Sequence, residues 1–183
     1  GEQVFDPAFP LIDAPTLAYR AGSRPFDDEG VPSRRLPLVE NGVLKAFVYD
    51  LQTAAQAGAR STGSAERALT SQPSPDLSVV TMAAGTVTLA DMIGGIDDGL
   101  LVDELIGSDQ GNTVGGDFGG NVLLGYRIQH GRITGRVKDV MVAGNAYELL
   151  RNIRALGSEL KWVGGGVLVP PVALDGVAVS SKE

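Results

Sequence analysis

Short apolar runs separated by turn-forming residues dominate the chain. Runs at 36–40 and 43–49 flank Asn41-Gly42, and runs at 121–129 and 132–138 flank His130-Gly131. Asn-Gly is typical of a type I′ hairpin, because both central residues of that turn need a positive φ. Further strands are predicted by short apolar runs at 79–82, 100–106, 140–143, 167–169 and 172–179.

Three segments have a helical pattern. A helix through Ala57 is predicted after the capping residue Asp50, and a second is predicted from Leu89 to about Asp98. The third is predicted after Asn145, because the apolar positions from 146 to 156 fall on one helical face. Strands outnumber helices and hairpins dominate, so the predicted fold class is α+β, with predominantly antiparallel β-sheet, hairpins and two or three helices.

Composition narrows the classes of function. The 183 residues fit one domain or two small ones, and the absence of Cys excludes disulfides, thiolate nucleophiles and Cys-based metal sites. With 15 basic and 22 acidic residues the net charge is −7, so direct nucleic-acid binding is not expected. No 18-residue apolar stretch or signal peptide is present, so no membrane association is expected. The chain does not begin with Met, which indicates processing or a piece of a longer protein.

Catalytic and metal-ligating side chains are sparse. His130 is the only histidine and is predicted to lie exposed in a hairpin turn, where an inert role is favoured over a metal ligand. The hydroxyl residues within 61–64 have no nearby base, and no motif supports a pair with Lys45 or Lys138. We therefore predict no catalytic residue and no metal ligand in this chain.

Asp27, Asp28 and Glu29 form the densest acidic cluster. Neighbouring acids can bind Mg²⁺ or Ca²⁺ or share a proton, but only Asp27 and Glu29 would point to the same side of an extended chain. A solvated turn before Gly30 is the favoured interpretation, and a carboxylate site is the alternative.

Glycine-rich tracts at 107–120 and 164–166 do not match a phosphate loop, because no helical pattern follows either tract. Residues 59–77 are predicted to form a long surface loop. Within the first tract, Phe118 is either a core anchor for the following strand or part of a docking groove. In the second interpretation Gly116, Asp117 and Phe118 contact a peptide or a partner subunit, since glycines let another backbone approach closely.

Several phrases in order along the chain resemble the TldD/PmbA (TldE) family, whose members were once called modulators of DNA gyrase. These phrases are Phe26-Asp27-Asp28-Glu29-Gly30-Val31, Glu40-Asn41-Gly42-Val43-Leu44-Lys45, Ser61-Thr62-Gly63-Ser64-Ala65, Gly99-Leu100-Leu101-Val102, Gly116-Asp117-Phe118, His130-Gly131-Arg132-Ile133, Val142-Ala143-Gly144-Asn145 and Gly166-Val167-Leu168-Val169-Pro170. The resemblance implies that residues 1–183 are the C-terminal domain of a cytoplasmic metallopeptidase subunit that forms homo- or heterodimers and acts on unfolded peptides.

The resemblance also bears on the metal. Catalytic, TldD-like subunits carry a His-Glu-x-x-x-His motif in their N-terminal part and a cysteine near the C-terminus as zinc ligands. This chain has no such motif, and Gly164 stands nearest the cysteine position. The resemblance therefore implies a PmbA/TldE-like, non-catalytic subunit without a cofactor of its own, with zinc in the catalytic partner. Two alternatives remain: the C-terminal half of a TldD-like zinc metallopeptidase, and an independent β-rich binding domain.

Overall fold

The computed structural model describes residues 1–108 and 111–181. Within these ranges the elements, in chain order, are β1 (Leu11–Asp13), β2 (Leu36–Glu40), β3 (Val43–Leu44), α1 (Leu51–Ala57), β4 (Ala65–Glu66), β5 (Ser74–Pro75), β6 (Val80–Thr81), α2 (Leu89–Gly94), β7 (Asp98–Ile106), a 3₁₀ turn (Thr113–Gly115), β8 (Asp117–Gln129), β9 (Arg132–Arg136), β10 (Val140–Asn145), α3 (Ala146–Leu149), β11 (Ile153–Leu156), β12 (Lys161–Val163), β13 (Val167–Val169), β14 (Val172–Leu174) and β15 (Ala178–Ser181). The predicted α+β class is confirmed, because three short helices accompany sheets whose strands pair mostly antiparallel.

The chain divides into two compact units. The first comprises Gly1–Gln3, Pro7–Ala83 and Leu160–Pro170, and the second comprises the described residues of Val4–Asp6, Ala84–Glu159 and Pro171–Glu183. That residues 1–183 act as one C-terminal domain of a longer protein stays a prediction. None of the helices in the described ranges has the length and apolar character that a membrane crossing requires.

The first unit is built on a six-stranded sheet in the order β12-β13-β6-β1-β2-β3. Strand β2 buries Leu36, Leu38 and Val39, and Val79 just before β6 is fully buried. Helix α1 and the two-stranded ladder of β4 and β5 complete this unit.

The second unit is built around the 13-residue strand β8. It pairs with β7 along most of its length, with β10 at its N-terminal end and with β9 at its C-terminal end, and β15 extends the sheet beyond β10. Val122, Val140 and Val142 are the buried centre of its core, against which partly buried side chains such as Phe118 and Leu105 pack. Strands β11 and β14 form a separate antiparallel pair.

Local turn and cap predictions are confirmed where the residue type fixes the backbone. Asn41 and Gly42 have φ of 51° and 72°, as a type I′ turn requires, and His130 and Gly131 have φ of 49° and 74°. Asp50 caps α1 by accepting the N–H of Thr53 at 2.6 Å.

Two predicted helices are shorter than expected. Helix α2 ends at Gly94, because residues from Asp98 onward pair with β8 instead of continuing the helix. Helix α3 ends at Leu149, so the predicted helix through 156 is wrong. The apolar residues at 153–156 form β11 and pair with β14.

The two predicted loops are also corrected in part. Residues 62–65 are buried, so the 59–77 segment is not a surface loop throughout. Strand β8 begins at Asp117, so the end of the 107–120 tract belongs to the sheet. Residues 109 and 110 of that tract lie outside the described residues.

Candidate functional site

The predicted contact segment, Gly116 to Phe118, lies where the 3₁₀ turn enters β8. Gly116 is buried and has φ of 86°, and a Cβ at this position would lie 2.5 Å from the ring of Tyr147. Glycine is therefore required both by the backbone conformation and by the close approach of an aromatic ring. Asp117 is exposed, and Phe118 is half-buried against the core of the second unit.

Asn145 ties this segment to the neighbouring strand and helix. Its Nδ2 donates to Asp117 Oδ1 and to the carbonyl of Gly115, both at 2.8 Å. Its Oδ1 accepts the N–H groups of Tyr147 and Glu148, which confirms the predicted helix cap. The packing of Phe118 favours the core-anchor interpretation, and contact of Gly116, Asp117 and Phe118 with a peptide or partner stays a prediction.

The three carboxylates of the acidic cluster all accept hydrogen bonds from backbone N–H groups. Asp27 is only 2% exposed, so a solvated turn is wrong for this residue. Its Oδ1 accepts the N–H groups of Glu29 and Val31 at 3.0 and 2.9 Å, and its Oδ2 accepts that of Ala65 at 3.0 Å. The one carboxylate thus satisfies three backbone donors and joins the turn to β4.

The other two acids of the cluster face different segments. Asp28 Oδ2 accepts the N–H of Arg67 at 2.9 Å, and Glu29 Oε2 accepts that of Leu51 at 2.8 Å, at the start of α1. Because the carboxylates diverge, they do not form a shared acid–base or metal site. Over 1–108 and 111–181, no group of three or more His, Cys, Asp and Glu side chains is placed to hold a metal ion.

His130 lies in the β8–β9 turn with its side chain 88% exposed, as the sequence predicts. Its Nδ1 is 2.6 Å from Asp97 Oδ1, and Asp97 is equally exposed. The hydroxyl residues at 61–64 serve the fold: Thr62 Oγ1 accepts the N–H of Tyr49 at 2.8 Å and lies 2.9 Å from Ser64 Oγ. The structure brings neither a histidine nor a lysine to these hydroxyls among their described hydrogen bonds.

Zinc, which the resemblance implies for a catalytic subunit, does not fit the side chains of this chain. The sole histidine is on the surface beside one carboxylate, and cysteine is absent. Gly164, the residue nearest the expected cysteine, lies in the turn between β12 and β13 with φ of 57°, and a Cβ there would meet no atom within 4 Å. Its correspondence to the cysteine stays a prediction.

The first unit has a cavity of about 510 Å³ that no sequence motif predicts. Its lining includes five charged residues and two serines: Arg24, Asp28, Glu66, Arg67, Asp76, Ser23 and Ser78. We call it the Arg24 cavity. These residues come from three separate stretches of the chain, which is why no local motif predicts their proximity.

Asp13 is a buried neighbour of this region, 1% exposed. Its Oδ1 accepts the N–H groups of Ser78 and Val79 at 3.1 and 3.0 Å. Burial raises the pKa of Asp13 above its ordinary value, against the smaller lowering effects of those amides and of Arg24. In the described part of the chain, Asp13 Oδ2, Ser78 Oγ, and Nε and Nη2 of Arg24 are buried without a hydrogen-bond partner.

The family of the chain follows from its similarity to known proteins. A sequence profile described as the PmbA/TldA metallopeptidase C-terminal domain matches residues 1–181. The chain belongs to this family. A Methanothermobacter thermautotrophicus relative named metalloprotease is 34% identical over 161 residues, which cover 88% of this chain and 35% of the relative.

Solved structures of this family show the same fold. TldE from Thermococcus kodakarensis matches with a TM-score of 0.86 and 31% identity, over 99% of this chain and 41% of that one. A Thermotoga maritima protein described as a candidate modulator of a DNA gyrase matches with a TM-score of 0.86 and 32% identity, over 98% of this chain and 41% of its own. The chain therefore spans about two fifths or less of the proteins that it matches.

Proposed function

We propose that this chain is the C-terminal part of a PmbA/TldE-like subunit that does not hold the catalytic metal. The subunit is cytoplasmic, pairs with a second subunit of the same family and helps to form the channel through which unfolded peptides reach the partner's zinc. The observation that carries the proposal is the donor set: a metallopeptidase family fold combined with one exposed histidine and no cysteine.

The surface around Gly115, Asp117 and Asn145 supports the pairing role. A rigid network fixes Asp117 on the surface, since Asn145 holds both its carboxylate and the preceding turn. Val114 and Tyr147 beside it are exposed apolar side chains, and tyrosine is enriched in protein interfaces. This is a surface on which a partner strand or an unfolded peptide could dock.

A second candidate function is the C-terminal part of a catalytic subunit. The observation that favours it is the 34% identity to a relative named metalloprotease, of which the matched part is only 35%. In that case the metal-binding helix lies in the remaining part of the protein. Reading the complete open reading frame separates the two candidates, because only the second requires a His-Glu-x-x-x-His motif there.

The biochemical test uses the full-length subunit, alone and mixed with a partner of the same family. We expect the subunit alone to retain less than stoichiometric zinc and to leave unfolded casein intact, while the mixture degrades casein and sediments as a larger species. Chelator-sensitive turnover by the subunit alone would establish the second candidate instead.

The docking surface is tested by Asp117→Ala, with Glu104→Ala as a matched exposed carboxylate in the same unit. We expect the Asp117 variant alone to weaken association in sedimentation experiments. Equal behaviour of the two variants would remove Asp117 from the interface.

A further inference from the structure

The Arg24 cavity has preformed walls. Gly22, with φ of 83°, lies so close to Ser78 that a Cβ would stand 2.7 Å from the Ser78 carbonyl oxygen. On another side, the Asp28 carboxylate accepts the backbone N–H of Arg67, and the backbone N–H of Asp76 donates to the Ser64 carbonyl at 2.8 Å. Backbone hydrogen bonds thus hold the residues around the opening, so a ligand meets a site that needs little reorganisation.

The charged side chains of this cavity are not neutralised by one another. The ion pairs Arg127–Asp98, His130–Asp97 and Arg154–Asp175 lie in the second unit and involve none of the cavity residues. Two guanidinium groups and three carboxylates therefore line one cavity without a direct ion pair among them. The exposed side chains of Arg67, Asp28, Glu66 and Asp76 offer charges of both signs to a ligand, whereas Nε and Nη2 of Arg24 are buried.

We propose that the Arg24 cavity binds a short peptide with free amino and carboxyl ends. The exposed Arg67 guanidinium can recognise a carboxylate through paired N–H donors, and the three acidic side chains attract an ammonium group. The acids outnumber the arginines by one, which disfavours phosphate and other purely anionic ligands. A zwitterion satisfies both sets of charges.

The volume favours a peptide over a single amino acid. About 510 Å³ lies within the usual range of small-molecule sites and equals the space of roughly 17 water molecules at about 30 Å³ each. That is room for a few residues of extended chain. The charge pattern follows from the cavity alone, and the choice of a peptide as the zwitterion rests on the proposed function in peptide breakdown.

Calorimetric titration of the protein with the tripeptide Ala-Gly-Ala tests the proposal, with its N-acetylated form, its C-terminal amide and free alanine as comparison ligands. We expect a dissociation constant of about 10 µM to 1 mM for the free tripeptide, and at least about tenfold weaker binding for the other three ligands. Absence of binding, or equal binding of the blocked peptides, would overturn the proposal. Equal binding of alanine would overturn its peptide part.

Two variants test which side chain binds each end of the peptide. Arg67→Gln should weaken the free tripeptide about tenfold and abolish its advantage over the amide, because both changes remove the same ion pair. Glu66→Gln should weaken binding of the free tripeptide by a similar factor and abolish its advantage over the N-acetylated form. Arg60→Gln is the matched control, an exposed arginine of the same unit outside the cavity, and should change nothing.

If the Arg67 and Glu66 variants still bind the free tripeptide more tightly than its amide and N-acetylated forms, this cavity is excluded as the site. The binding measurement needs neither a partner subunit nor zinc. Its failure is therefore distinct from a failure of the proposed non-catalytic role, which the casein and zinc measurements decide.

Discussion

Asp27→Asn tests whether the acidic cluster serves the fold. The variant keeps one side-chain oxygen to accept from Glu29 and Val31, but its amide nitrogen then faces the N–H of Ala65. Ala65 is fully buried, so water cannot replace the lost acceptor. The substitution changes hardly any volume, which isolates the hydrogen bonds from packing.

The magnitude follows from the three bonds. An orphaned buried donor costs about 1–3 kcal/mol, and each of the two remaining bonds weakens by about 1 kcal/mol when its acceptor loses the charge. Burying a neutral amide is easier than burying a carboxylate, which offsets about 1 kcal/mol. We therefore expect a loss of about 2–4 kcal/mol in the free energy of unfolding.

Urea titration followed by the fluorescence of Trp162 is the assay, because this single tryptophan lies in the same unit as Asp27. The midpoint should fall while the m value stays constant. Asp28→Asn is the matched control: Asp28 is exposed and accepts one N–H, so its change should stay within about 0.5 kcal/mol. An unchanged midpoint for the Asp27 variant, or equal losses for both, would refute the structural role.

Three further measurements address other parts of the chain. Because burial raises the pKa of Asp13, the folded protein binds a proton at this carboxyl more tightly than the unfolded chain does. The free energy of unfolding of the wild type should therefore fall relative to that of Asp13→Asn as the pH rises from the ordinary pKa of 3.8. Urea titrations of both proteins across this pH range measure the difference, and a difference that does not change with pH would contradict the prediction. Asn145→Ala should cost about 2 kcal/mol in urea titration followed by circular dichroism, more than an ordinary cap, since Asn145 also holds Asp117 and the Gly115 carbonyl. Phe118→Ala should cost about 3 kcal/mol in thermal unfolding through loss of core packing, and a folded variant of normal stability would return Phe118 to the docking interpretation.

The sequence predicted those features whose cause lies within a few residues. Asn41-Gly42 fixes its turn through positive φ at both positions, and Asp50 caps α1 through an N–H three residues ahead. The stretch from 146 to 156 has an equally clear helical pattern but forms only one turn of helix. Residues 153–156 pair with β14, which begins at Val172, and no local pattern reveals that pairing.

Two phrases that carried the family resemblance turn out to be one structural feature. Phe26-Asp27-Asp28-Glu29-Gly30-Val31 and Ser61-Thr62-Gly63-Ser64-Ala65 are joined by the bond from the Ala65 N–H to Asp27, 38 residues away. Gly63 lies against the chain just after the first phrase, since a Cβ there would stand 2.5 Å from the Pro32 carbonyl oxygen. The fold thus accounts for Asp27 and Gly63 without any chemistry. It does not account for the exposed charges of Glu66 and Arg67, which directly follow the second phrase and line the Arg24 cavity, where the proposed peptide would bind.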